Sequence, residues 1–374
     1  MNKIKIFSSL MLLIVMSIGC SKKDGIDSDL SFVNTAAGSN VAKIFDISTD
    51  NSGNVKITPT GNGVTSFTVK YGHGTGAAAS ATVAPGSSTI HSYPEGSYTV
   101  TVDATDIAGV TTTTTYPLSL TYKAPEKLSV NIGSDMKVSA TALYAHSFLV
   151  YYGDVANEFG TPMTATIDAS GLATGSGLPA HVYPAGGPYD LKVVALSGGA
   201  ATTQSIKTLF GFPLTFESTT MNYFFGTFGN VNFSTVANPS STGLNTSAFV
   251  GKYEKTVGAA TWSGTYSPLD IPMNFAFGKK IKVLLYNPNP ANIGNLLNIE
   301  LESAIAGTGA QPNGVGVLKA PITKSGAWEE LVFDYSTIPA IGASARYGQL
   351  VLRFNDAASG TGEIIYLDNF RITN

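Results

Sequence analysis

The chain has 374 residues, only 13% of them charged, and a formal net charge of -3. It therefore offers no basic field for nucleic acid and no acidic tail, and its length calls for several small cores rather than one. With 40 glycines, 18 prolines and a single cysteine, it reads as short strands joined by tight turns, which excludes a disulfide framework and leaves no long helix after residue 20.

Residues 1–19 are the exception to that pattern. Lys3 and Lys5 precede the apolar run Ile6 to Ile18, and Gly19 follows, as in a secretory signal that is short for a membrane span. Cys20, directly after Ser17-Ile18-Gly19, resembles the lipobox of bacterial lipoproteins and implies a lipidated first residue. Ser21-Lys22-Lys23-Asp24 is similar to the export tags of Bacteroidetes outer-leaflet lipoproteins. That resemblance implies a lipid anchor in the outer membrane, facing the cell exterior, with residues 20–30 as a polar tether.

An internal repeat follows. Phe67-Thr-Val69-Lys-Tyr71-Gly72 returns as Phe148-Leu-Val150-Tyr-Tyr152-Gly153, and His91-Ser-Tyr93-Pro94 returns as His181-Val-Tyr183-Pro184. Both copies alternate apolar and polar residues, as in Tyr98-Thr-Val100-Thr-Val102 and Leu191-Lys-Val193, so each is expected to be a small Ig-like sandwich, over 31–122 and 123–208. The His-x-Tyr-Pro line, with Gly96-Ser-Tyr98 and Asp106-x-x-Gly109, resembles the polycystic-kidney-disease (PKD) domain, which implies spacer modules. Copy two keeps that family's Gly-Asp turn at Gly153-Asp154; copy one departs from it at Gly72-His73. His91 and His181 occupy equivalent places in separate copies, so each is expected to pack beside a tyrosine rather than share a catalytic or metal site. Lys123-Ala-Pro125-Glu126 reads as the joint between copies.

From about 209 the character changes. Strand-like runs are expected at Leu214 to Glu217, Phe249 to Lys255, Lys280 to Tyr286, Leu296 to Glu302, Glu329 to Tyr335, Gln349 to Phe354 and Glu363 to Ile372, separated by turns such as Asn287-Pro288-Asn289-Pro290. The fold class is thus all-β: two Ig-like sandwiches, then a β-jelly-roll sandwich over 209–374. Leu214-Thr-Phe216-Glu217, Lys252-Tyr253-Glu-Lys255 with Trp262-Ser-Gly264, Gly326-Ala-Trp328 through Phe333-Asp334, and Ile365-Tyr-Leu-Asp368-Asn369 resemble jelly-roll carbohydrate-binding modules. The resemblance implies that Glu217 and Asp368 hold a structural Ca²⁺, whose shell of six to eight oxygens loop carbonyls would complete.

Sugar binding needs flat exposed rings for pyranose C–H faces and polar groups beside them for the hydroxyls. Trp262, in a polar stretch and followed by Tyr266, is the leading platform candidate. Tyr223 and Phe225 come from the densest aromatic segment, Met221 to Asn230. Tyr253 and Tyr286 face either groove or core, Trp328 is expected to pack, and Lys252, Asn274 and Arg353 are candidate hydroxyl partners. No motif selects a glycosidase pair among Glu300, Glu302, Asp334 and Glu363, and no G-x-S-x-G or HExxH occurs. The expected protein is not an enzyme but a surface polysaccharide-binding lipoprotein, similar to those of Bacteroidetes polysaccharide-utilisation loci. That likeness implies a β-glucan ligand, laminarin first, and as partners an outer-membrane glycan transporter complex and surface glycoside hydrolases. An adhesin or scaffold lipoprotein with protein partners is the alternative, ahead of a glycoside hydrolase.

Overall fold

The computed structural model describes residues 44–184, 187–219 and 221–374; the expected secretory segment, Cys20 and the expected tether lie outside them. The chain is all-β and divides into two compact units. The first comprises the described residues to Ser48 with Asn54–Tyr93 and Ser97–Ser119; the second comprises Thr49–Gly53, Pro94–Gly96 and Leu120–Asn374.

The first unit holds β1 (Phe45–Ile47), β2 (Asn54–Ile57), β3 (Val64–Lys70), β4 (Ser80–Val83), β5 (Thr89–Ser92), β6 (Gly96–Asp106) and β7 (Thr111–Leu120). They form a three-stranded sheet, β1-β2-β5, and a four-stranded sheet, β4-β3-β6-β7. Alternation puts Val55, Ile57, Phe67, Val69, Val100 and Val102 in its core.

The second unit begins with the other copy: β8 (Glu126–Ile132), β9 (Val138–Leu143), β10 (Ser147–Tyr151), β11 (Thr161–Ile167), β12 (Leu172–Gly175), β13 (Tyr189–Leu196) and β14 (Thr202–Leu209). Here one strand joins the layers, because β11 pairs with β10 through Thr161 to Thr164 and with β12 through Ala165 to Ile167. The repeat has a backbone reason. Gly72 and Gly153 lie at φ +68° and +78°, and a Cβ would stand 2.3 Å from Thr99 O in one copy and 2.5 Å from Asp190 O in the other; only glycine accepts both demands. The histidines pack as expected: His91 stacks on Tyr71 with ring centroids 4.1 Å apart, and His181 on Tyr152 at 3.8 Å. Where copy one departs from the Gly-Asp turn, His73 Nδ1 lies 3.0 Å from His91 Nε2; in copy two Asp154 Oδ2 meets His181 Nε2 at 2.8 Å.

The jelly roll follows with β15 (Gly226–Phe228), β16 (Val231–Ala237), β17 (Phe249–Lys255), β18 (Gly264–Asn274), β19 (Lys280–Tyr286), β20 (Leu296–Ala304), β21 (Val317–Pro321), β22 (Trp328–Asp334), β23 (Arg346–Phe354) and β24 (Glu363–Thr373). Two antiparallel five-stranded sheets, β15-β18-β23-β20-β21 and β16-β17-β24-β19-β22, enclose its core. Leu214–Glu217 is not a strand but a single bridge, Leu214 to Phe370. Phe216 stands at φ +58°, which breaks the extended run one residue before Glu217. β18 is long although Pro268 and Pro272 interrupt it. The strand bulges between Pro268 and Met273, and beyond Tyr266 it pairs only with β23, so the missing proline donor takes no bond from the ladder.

Candidate functional site

The outer face of the β15-β18-β23-β20-β21 sheet brings several rings together, the exposed Phe224 and Trp262 among them. Leu350, Leu352 and Phe354 of β23 point into the core, so their neighbours Gln349, Val351 and Arg353 point out. Register then places Tyr266 beside Val351, Glu300 beside Val351 on the other side, and Asn298 between Arg353 and Lys319. Pairing of Gly226 with Tyr266 and of Phe228 with Gly264 across β15 and β18 turns Gly226, Phe228 and, by alternation, Phe224 outward. Phe224 is 47% exposed and meets Tyr266 edge-on.

Trp262 stands in the loop leading into β18, 59% exposed. Its indole runs parallel to the Phe228 ring, 4° between planes and 6.3 Å between centroids. Three glycines make room for these rings. A Cβ on Gly226 would sit 2.4 Å from the Tyr266 ring, one on Gly264 would sit 2.7 Å from Phe228, and one on Gly229 would sit 3.1 Å from the Trp262 indole.

Polar groups border the rings. Arg353 lays its guanidinium over Phe228, 5.2 Å from the centroid, and donates from Nη1 to the Trp262 carbonyl at 2.5 Å. Its Nη2 donates to Glu300 Oε2 at 3.2 Å, and Nε stands 2.6 Å from Oε1 as an ion pair without hydrogen-bond alignment, a clamp of one hydrogen bond and one charge contact. Asp356 accepts from Lys319 Nζ at 2.6 Å and Asn298 Nδ2 at 2.7 Å. Burial alone would raise its carboxyl; these two hydrogen bonds, with the Lys319 charge and a backbone hydrogen bond, outweigh that and hold it below the usual carboxylate range. Thr261, Trp262, Glu300, Arg353 and Asp356 line a shallow depression of about 230 Å³. A second depression, about 270 Å³, is walled mainly by Phe212, Pro213, Ile271, Met273 and Phe277 and presents few groups to a polyhydroxylated ligand.

Of the residues singled out from sequence, Trp262, Tyr266 and Arg353 meet on this face. Tyr223 and Phe225 do not. They have the opposite parity to Phe224 and pack inward, Tyr223 against Phe216 at 5.1 Å and Phe225 stacked on Phe233 at 4.0 Å. Tyr253 lies wholly in the core, which removes it from any surface. Lys252 and Tyr286 belong to the other sheet, whose outer face is on the opposite side of the sandwich. Asn274 caps a short turn, its Oδ1 accepting from Ala276 N. Trp328 is buried, but on that other outer face, where its indole N–H reaches Ser240 O at 2.7 Å. Phe224 and Phe228 take their phase from the cross-strand pairing of Gly226 with Tyr266, which no sequence signal displays.

Glu217 and Asp368 stand close enough for the Glu217 charge to act on Asp368. Asp368 is fully buried, and burial pushes its carboxyl above the usual range against the lowering hydrogen bonds of Ser247, Asn245 and Asn369 N, with the Glu217 charge a smaller addition. Its oxygens accept from Asn245 Nδ2 at 2.8 Å and Asn369 N at 2.7 Å, while Glu217 Oε1 accepts from Phe249 N at 2.7 Å. Among the described residues no ion pair neutralises either acid. Two neighbouring carboxylates without a positive side chain form a donor set suited to a hard divalent cation. No third His, Cys, Asp or Glu joins them among the described residues, so further ligands would have to be carbonyls, amides or water.

No protein-family profile matches the chain, and no curated protein matches it. Solved structures resemble part of it. They include an arabinose-bound MgGH51 α-L-arabinofuranosidase (13% identity, TM-score 0.31, 43% of this chain and 25% of that one). Another is the Clostridium thermocellum CBM22-1 and GH10 modules of xylanase 10B with xylohexaose (13%, 0.27, 44% and 27%). A third is the family 11 carbohydrate-binding module of Clostridium thermocellum with a β-1,3-1,4-mixed-linked tetrasaccharide (12%, 0.29, 43% and 97%). The chain spans about a quarter of the length of the first two. What the Trp262 face does is decided by its own side chains.

Proposed function

We propose that the jelly roll binds a polysaccharide on the face bearing Trp262. One observation carries this reading: an exposed indole, held parallel to Phe228 and flanked by the Arg353–Glu300 clamp. Fixed rings take the apolar faces of sugars with little loss of side-chain freedom, and the clamped charges and Asp356 offer hydroxyl partners beside them. Binding is favoured over hydrolysis because Glu300 is committed to Arg353 and Asp356 to Lys319 and Asn298, which leaves neither as a free acid or base. The ligand class is a β-glucan, with laminarin-type β-1,3-glucan first, as the sequence resemblance implies.

In the same proposal Cys20 carries the lipid that anchors the protein in the outer membrane, and the two sandwiches act as PKD-like spacers. The partners are an outer-membrane glycan transporter complex and surface hydrolases. Ca²⁺ between Glu217 and Asp368 ties the entry to the jelly roll to its last strand; EDTA is expected to lower the melting temperature and added Ca²⁺ to restore it, and a melt indifferent to both removes the ion. Affinity electrophoresis in gels containing laminarin, mixed-linkage glucan, xylan, alginate or starch tests the function. Retardation by a glucan is expected; unaltered mobility in every gel sinks the reading and leaves the adhesin alternative.

A further inference from the structure

We infer that the opposite face of the jelly roll carries a second glycan-contact row, built on Tyr366 and Tyr286; the inference rests on the polysaccharide reading above. Register aligns Ser234, Lys252, Tyr366, Tyr286 and Trp328 in one line across β16, β17, β24, β19 and β22. Adjacent strands lie about 4.8 Å apart, so Lys252 to Tyr286 spans roughly 10 Å, a stretch that a short oligosaccharide covers.

The rings in this line are held but not consumed. Trp328 is buried at one end beneath the loop that supplies Ser240 O. Tyr286 packs on Trp328 at 5.6 Å and on Tyr366 at 6.1 Å, so each ring has a fixed pose. Both tyrosines are half-buried, and among the described residues neither hydroxyl has a protein hydrogen-bond partner. The main core beneath is closed by Tyr253, Leu285, Ile365 and Leu367; on the outer face Tyr286 and Tyr366, with Val236, pack against a small buried cluster of Val250, Leu284 and Trp328, which seats the rings and leaves them half-exposed.

Beside them Lys252 Nζ lies 3.2 Å from Glu254 Oε2, both side chains about one-quarter to one-third exposed. The row thus repeats, on another sheet and with other residues, the combination at the Trp262 face: fixed rings with a charged pair alongside. A protein partner would want a broad apolar patch with buried anchors; a single line of phenols ending in an ion pair suits a narrow polyhydroxylated chain. One domain with contacts on both faces can hold two polymer strands, or two segments of one, and so gains avidity on long glycans that short ones do not give.

The test uses the glycan that retards the wild type, with its oligosaccharide for calorimetric titration. Wild type is expected to titrate two sites per chain, Trp262→Ala one, and Tyr286→Ala/Tyr366→Ala one, with the long polymer bound several-fold more weakly by each variant. Tyr366→Phe, which keeps the ring and removes only the hydroxyl, and Lys252→Ala serve where the double variant melts below wild type; each is expected to weaken the second site alone. One site in the wild type, abolished by Trp262→Ala and untouched by the tyrosine variants, overturns the row and leaves the polysaccharide reading standing. No binding by the wild type to any glycan overturns both.

Discussion

The repeated sandwiches and the jelly roll both stack flat rings, and they put the stacks to different use. In the repeats His91 and His181 lie face to face with Tyr71 and Tyr152, and Nε2 of each imidazole meets a side chain, His73 in one copy and Asp154 in the other. In the jelly roll Trp262 also has a parallel neighbour, but it is 59% exposed and charged groups are locked beside it. Stacking alone therefore does not mark a binding site. Exposure of the ring and polar groups held next to it do, because a buried stack has already satisfied what a ligand would offer.

The comparison breaks at a glycine first. Gly153→Ala places a Cβ against Asp190 O in a left-handed backbone and is expected to cost about 2–3 kcal/mol of stability, seen as a lowered calorimetric transition with glycan retention unchanged. Loss of retention would mean that the repeats take part in binding. Gly226→Ala sharpens the contrast from the other side. Its Cβ meets only the far end of the Tyr266 ring, which swings away, so binding should weaken several-fold, about 1 kcal/mol, while the melt stays within about 0.5 kcal/mol of wild type.

The smallest effect expected is electrostatic. Glu330 is held below the usual carboxylate range, first by its hydrogen bond with Lys282 and then by Arg371. Its contribution is complete above the unfolded pKa near 4.5 and is lost as pH falls through the lower folded value. Glu330→Gln should therefore melt lower than wild type at pH 7 and converge with it in acid; a constant gap across pH would place the effect in packing instead of charge.

Much of this was legible in the sequence, for reasons that differ by element. β17 and β19 coincide with their expected runs because alternation over Lys252 to Lys255 and over Lys280 to Val283 is enough to mark each as a strand, although Val283 to Tyr286 is a continuous apolar run. β18 was hidden, since Pro268, Pro272 and Asp270 read as turn residues and only the one-sided pairing beyond Tyr266 makes them tolerable. At the site the segment from Met221 to Asn230 was recognised as aromatic, but its phase was not. Composition is the same in either register, and the choice of Phe224 and Phe228 over Tyr223 and Phe225 is fixed by Phe216 and Phe233 on the inner side. Tyr366 escaped for a similar reason: its row exists only through cross-strand register.

The most direct test of the central claim is calorimetric titration of wild type and Trp262→Ala with the glycan that retards the wild type. The account predicts at least tenfold weaker binding at the Trp262 site, about 1.4 kcal/mol, with an unchanged melting temperature, since the indole is 59% exposed. Equal affinity in the two proteins, with both equally folded, would contradict it.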